Sequence, residues 1–432
     1  MISTQDDNNA LLSGAVLPAL LRYALPIILS MIATQLYTVV DTMIIGLKLD
    51  ADALAAVSNA STVLMIFLFL SGGMELGGGL LVAANKPTAT RSYNLLFVDE
   101  VLALLLTVLG FFSLPGLLRL IQTPAEILDE AVLYGRVYLI GLPFLMPYDL
   151  SKQLVIGCGN SRTPLRVVLV TSLLNVLLDL ALVGPFGVAG AAAATAFSQV
   201  VGVLYMMFYL RRHDLSTPFR PGMLRASYAK KIFALAAPNS VQQASGTVIT
   251  LVKQSLLGGL GVAAIAGFSC ASKVSSLLMM PVCGFIQSIV FFIAQNTAAA
   301  QPDRVQTGLR EGRRILFVYS LLVVTVCILF REPLLRLFTT DAETARCGAV
   351  LLAFESVSYL FVTQKHLLEG RLRGAQKMGH YLLSNLGQIG LNLLCCILLV
   401  PLVGFNGFWL STWISAPAGL VLAYVLVKVS RT

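Results

Sequence analysis

The stretch LPIILSMIATQLYTVVDTMIIG, residues 25–46, decides the architecture, because a second stretch, APNSVQQASGTVITLVKQSLLG at 237–258, aligns with it at an offset of 212. The alignment superimposes two prolines, Pro26 and Pro238, and two glycines, Gly46 and Gly258. The pattern continues outward. LAAVSNAS (54–61) matches IAGFSCAS (265–272), and GAAAATAFS (190–198) matches GFWLSTWIS (407–415), which pairs Thr195 with Thr412. The near-constant offset describes a chain built twice.

Each copy is apolar enough to need lipid. The 432 residues are 57% hydrophobic and only 12% charged, about half the charged fraction of a soluble domain at roughly 25%. A spanning helix needs about 20 mostly apolar residues. That rule places spans near 19–47, 53–83, 92–114, 127–157, 163–184 and 187–210, then near 227–257, 263–297, 306–330, 343–371, 378–401 and 404–428. The expected fold is an all-α polytopic membrane protein of about twelve transmembrane helices. An even number of helices per copy gives a parallel repeat, related by an axis along the membrane normal. The expected organisation is a six-helix bundle over 1–210, a link over 211–226 that holds two prolines, and a second bundle over 227–432.

The 30 basic residues are distributed topologically. With the N-terminus inside, 22 fall at cytoplasmic ends and six on the opposite side, with Lys253 and Lys273 inside apolar runs. This bias puts both termini in the cytoplasm. The net charge of +9 therefore reads as topology rather than as a nucleic-acid footprint. The seven cysteines show no CxxC pair and no Cys/His ligand spacing, so neither a disulfide nor a metal is expected. No Walker GxxxxGK[ST], HExxH or GxSxG occurs, which leaves ATP and enzyme chemistry without residues.

Ionisable residues at membrane depth are costly and usually have a task. Asp41 lies within the first span, on one face with Thr34 and Thr38. Asn175 and Asp179 share a face of the fifth span at i and i+4. If the two spans are neighbours, two carboxyls and an amide meet in one pocket and titrate as a unit, as a proton carrier requires. The alternative is that either aspartate caps a broken helix or sits near the surface. The repeat pairs Asp41 with Lys253, Asn175 with Asn392 and Asp179 with Cys396, so the second half keeps the amide and lacks both carboxyls. Glu75, Lys253 and Glu355 are further candidates for a cavity lining. Lys253 reads equally as a fixed counter-charge or as a snorkelling ammonium. Asp149 and Lys152 read as a local i, i+3 pair.

These residues resemble the multidrug and toxic compound extrusion (MATE) family: LPIILS…QLYTVVDTMIIG…ALAAVS, YLIGLPF…GCGNSRTP, LLNVLLDLALVGPFGVAGAAAAT, and AGFSCASKVSSLLMMPVCGFIQ…QN in the second half. The resemblance implies two six-helix bundles around a V-shaped central cleft. It also implies export of lipophilic, often cationic small molecules in exchange for H⁺, or less readily Na⁺, by alternating access. Asp41, Asn175 and Asp179 match the family's first-half ion site, with Gln35, Tyr138 and Thr195 as further polar members and Pro26 as the hinge proline. No cofactor beyond the coupling ion is implied. The expected setting is the plasma (inner) membrane, with a monomer in the bilayer and a lipophilic small molecule as the partner. Gly246 stands where the family often has an acidic residue, ANKPTAT and QNTAAAQ replace its usual turns, and an intramembrane Lys253 suits neutral or anionic compounds. The alternatives are a lipid-linked precursor flippase of the same superfamily and a non-transporting membrane receptor or scaffold.

Overall fold

The computed structural model describes residues 11–85, 88–216, 225–257 and 261–430. The N-terminal tail up to residue 10, residues 217–224 of the expected link and Gly258 of the repeat lie outside them.

The described residues form thirteen helices: α1 (Val16–Lys48), α2 (Ala51–Ala83), α3 (Ala89–Leu120), α4 (Ala125–Gly157), α5 (Arg162–Arg212), α6 (Ala226–Leu257), α7 (Val262–Ala298), α8 (Pro302–Leu329), the short α9 (Arg331–Arg336), α10 (Ala342–Val357), α11 (Tyr359–Gly374), α12 (Met378–Val403) and α13 (Asn406–Val429). Asp50 starts α2 by accepting the Ala53 N–H at 2.9 Å. Asp341 starts α10 through the Thr344 N–H at 2.8 Å, and the Thr344 hydroxyl, followed by that N–H, holds its carboxyl below the ordinary range.

Two departures from the simple span count have local causes. α5 is 51 residues long and reverses at Gly187, whose φ of 58° and ψ of −142° belong to a region open essentially to glycine alone. It therefore supplies the fifth and sixth spans. The span expected over 343–371 is bent by 51° between α10 and α11. No proline or glycine stands at the break. Ser356 donates to the Ala353 carbonyl and Ser358 to the Glu355 carbonyl, and serine back-bonding of this kind competes with the helix ladder and bends it. Counting α5 as two spans, α10–α11 as one and the less apolar α6 as one gives six spans in each half.

The chain divides into two compact units, Leu25–Ser240 and Leu12–Ala24 with Val241 onward. In the first unit the core gathers Ile45, Ala60, Leu114, Leu139 and Met146. The first turns of α6 pack there against the glycine-rich end of α2. A Cβ at Gly73 would fall on Ser240, and one at Gly77 would lie 3.0 Å from the Ala236 backbone nitrogen, so small residues permit the contact. In the second unit Phe268, Cys327, Leu352 and Phe408 share a core. Arg304 fastens the N-terminal segment to that unit through the Gly14 carbonyl at 2.6 Å and the Ser13 carbonyl at 3.1 Å. Large apolar side chains such as Leu36, Phe112, Leu173, Val318 and Leu398 stay exposed, as a lipid-facing surface requires.

Candidate functional site

The reversal at Gly187 sets the geometry of the site. It folds the second arm of α5 back along the first, and Gly190 lets the arms touch: a Cβ there would lie 2.2 Å from the Leu182 carbonyl oxygen. Asn175 and Asp179 on the first arm thus face Thr195 on the second. The Asn175 amide satisfies both neighbours in one orientation, with Nδ2 donating to Asp179 Oδ2 at 3.3 Å and its oxygen accepting from the Thr195 N–H at 3.2 Å. The orientation follows from the hydrogen-bond network. Asn175 and Asp179 are 1% and 0% exposed.

Asp41 comes to the same place from α1. Its carboxyl lies close enough to Asp179 for each to act on the other, and among the described residues Oδ1 of each aspartate is buried with no hydrogen-bond partner. Two carboxyls this close repel each other when both are ionised. Tyr37, Tyr134 and Tyr138 lie close enough for their hydroxyls to feel the Asp41 charge, and the Tyr134 and Tyr138 rings are 6.2 Å apart. Lys48, at the end of α1, donates to the Leu180 carbonyl on α5, which ties the two helices beside the carboxyl pair.

Below the pair, a cavity of about 100 Å³ opens between α1, α4 and α5, lined by Thr34, Tyr37, Tyr148, Asp149, Lys152 and Asn175 among others. Gln35 is half-buried on α1. Glu75 lies close enough to Asp149 to feel its charge. Asp149 and Lys152 form an ion pair at 2.6 Å. Pro26 sits inside an unbroken α1, with Ser30 donating to its carbonyl at 2.9 Å. Lys253 and Glu355 are both half-buried in the second unit, and the Lys253 ammonium is the charge that acts on Glu355. Sequence reasoning missed Asp99, which is 1% exposed. The signal was its place between the apolar LLFV before it and VLALLL after Glu100, obscured by Glu100 beside it.

The second unit repeats the frame without its acids. Gly404, 217 residues after Gly187, has φ 62° and ψ −139°, nearly the Gly187 conformation, and turns α12 into α13. Gly407 takes the place of Gly190, its Cβ position 2.6 Å from the Val400 nitrogen. Asn392 donates to Thr412 Oγ1 at 3.4 Å and to Ser415 Oγ at 2.9 Å. Where Asp179 would be, the Cys396 thiol lies 3.9 Å from the Asn392 oxygen. The twin keeps the amide, the threonine and both glycines.

With this geometry in view, sequence comparison decides the family: residues 26–181 and 238–398 match the MatE family. The chain belongs to the MatE family. Over 382 residues it is 28% identical to "Probable multidrug resistance protein YpnP" of Bacillus subtilis (strain 168), covering 86% of each chain. It is 26% identical over 355 residues to "FAD transporter" of Shewanella oneidensis, covering 78% of this chain and 77% of that one. A solved MOP superfamily transporter from Pyrococcus furiosus superposes with a TM-score of 0.91 over 99% of this chain and 98% of that one, at 19% identity, which establishes the shared fold. Residues 130–257 also match the family of the lipid II flippase MurJ. The protein is thus a multi-pass membrane protein of the MatE family, an all-α fold with two six-helix bundles.

Proposed function

We propose that this MatE protein exports lipophilic, often cationic small molecules in exchange for H⁺ by alternating access, in the plasma membrane with both termini in the cytoplasm. The observation that carries the reading is the pair of facing carboxyls, Asp41 and Asp179, in one unit only. A protonated pair is neutral and an ionised pair is not, so protonation changes the energy of burying the pair by several kcal/mol. That difference biases α1, which carries Asp41, between two arrangements. From outside, the pair takes up a proton and the bound compound leaves; proton release to the cytoplasm resets the cycle. One charge moving inward through ~100 mV supplies about 2.3 kcal/mol, enough for more than tenfold accumulation of a neutral compound. Relatives named for multidrug resistance support the substrate class.

The test is transport in proteoliposomes of a fluorescent lipophilic cation, driven first by a pH gradient without Na⁺ and then by a Na⁺ gradient without a pH difference. Accumulation under the first alone supports the proposal, and accumulation under the second alone replaces H⁺ by Na⁺. The MurJ match over 130–257, with Lys253 half-buried in a span, favours one second reading, a lipid-linked precursor flippase. Translocation of a labelled lipid-linked sugar phosphate, with no uptake of the cation under either gradient, would establish that reading instead.

A further inference from the structure

We infer that Glu75, Asp99 and Asp149, with Lys152, form a second proton-binding station in the first unit, through which the proton held at Asp41 and Asp179 passes to the α2–α3 end. This inference rests on the proton-coupled reading above.

The two stations stand at different depths. Glu75, Asp99 and Asp149 lie eight to ten residues from the helix ends at Ala83, Ala89 and Gly157, about 12–15 Å at ~1.5 Å per residue. Asp179 is seventeen residues from Arg162 at the same end, or ~25 Å. About 10 Å therefore separates the levels, too far for direct proton transfer.

The cavity spans that gap. Thr171, Ser172 and Asn175 climb one face of α5 along its wall, and Asp179 is one turn further on. Asp149 and Lys152 line its other end. A water needs roughly 10–15 Å³ of such space, so about 100 Å³ has room for several, on a wall rich in hydroxyl, amide and carboxyl groups. Tyr37 belongs to both levels: it lines the cavity and lies close enough to Asp149, Lys152, Tyr148 and Asp41 to feel each charge.

The inner cluster is out of charge balance. Glu75 meets Asp149 at hydrogen-bonding range and also feels Lys152 and Asp99; Asp99 in turn faces Asp149 and Glu100. Among the described residues Lys152 is the cation that acts on Glu75, paired with Asp149 at 2.6 Å and stacked 4.3 Å over the Tyr148 ring. Three carboxyls against one ammonium leave two negative charges uncompensated in a buried place, unless protons reside there. Asp99 shows where one acceptor waits, because its Oδ2 is buried with no hydrogen-bond partner among the described residues. The transfer forms no covalent intermediate. A carboxyl of the outer pair gives its proton to a cavity water, the water chain gives one to Asp149 or Glu75, and the cluster releases one to the aqueous phase at the α2–α3 end.

Glu75→Gln and Asp99→Asn test this, since each keeps the shape of the side chain and removes its titration. In proteoliposomes, both variants should lose H⁺-gradient-driven transport by about 100-fold, the usual scale for a positioned proton-transfer group. Both should retain exchange of labelled for unlabelled substrate at equal pH, which needs no proton release and reports a folded binding site. Wild-type rates with an unchanged pH profile in both variants would overturn the inference, as would equal loss of exchange and of driven transport in both. If the coupling reading itself fails, the wild-type protein shows no pH-driven transport. If only this inference fails, the wild type is pH-driven, Asp41→Asn is not, and both inner variants run normally.

Discussion

Replacing Gly190 by alanine tests how the site is held together. The new Cβ would sit 2.2 Å from the Leu182 carbonyl oxygen, 2.6 Å from the Leu182 carbonyl carbon and 3.1 Å from the Val183 nitrogen. All three are backbone atoms and cannot swing aside. Reaching ordinary contact moves the two arms of α5 apart by about 1 Å. That displacement carries the Asn175–Thr195 contact, now 3.2 Å, beyond hydrogen-bonding distance. Overpacking costs about 1–3 kcal/mol, and the broken buried hydrogen bond adds about 1 kcal/mol. Alanine's better helix propensity returns at most about 1 kcal/mol. The net is about 1–3 kcal/mol, which for a unit of this size lowers the unfolding temperature by about 3–10 °C, measured by thermal unfolding in detergent. Gly184→Ala is the control, because no atom lies within 4 Å of its Cβ position. If the two variants melt alike, the close approach of the arms does not hold the site.

Other consequences follow from the same packing. Glu369→Gln leaves Lys365, 1% exposed and 2.9 Å from the carboxyl, without a counter-charge. It should cost about 3–5 kcal/mol, seen as lost folded yield, and adding Lys365→Met should restore most of it. Lys253→Met removes the ammonium acting on Glu355, so competition assays should show preference shifting toward cationic compounds by about tenfold, ~1.4 kcal/mol. Asp50→Ala removes the cap on Ala53 and should destabilise the first unit by about 1 kcal/mol in thermal unfolding.

Much of the fold was legible because lipid imposes a simple rule: each span needs its own apolar run, and the runs are separated by charge. The repeat was legible because Pro26, Asn175 and Thr195 have partners at steady offsets. What escaped were features set by contact rather than composition. The α10–α11 bend comes from serine side chains bonding their own backbone, in a segment that reads as one continuous span. The break between the spans at 163–184 and 187–210 was expected, but only the backbone angles of Gly187, echoed at Gly404, reveal a shared device. Asp41 and Asp179 drew notice as lone charges in apolar runs. Asp99 did not, because Glu100 beside it makes the pair look like the polar edge of a span. Tyr37 has no charge to set it apart in an apolar helix, although it lies beside both carboxyl clusters.

The central claim is that Asp41 and Asp179 together carry the coupling proton. The most direct measurement follows proton movement itself: a pH-sensitive dye inside proteoliposomes records the internal pH when substrate is added outside, for wild type, Asp41→Asn and Asp179→Asn. The account predicts a substrate-dependent pH change in the wild type and none in either variant, with substrate binding retained in both. A wild-type signal that persists undiminished in Asp41→Asn and Asp179→Asn would contradict it.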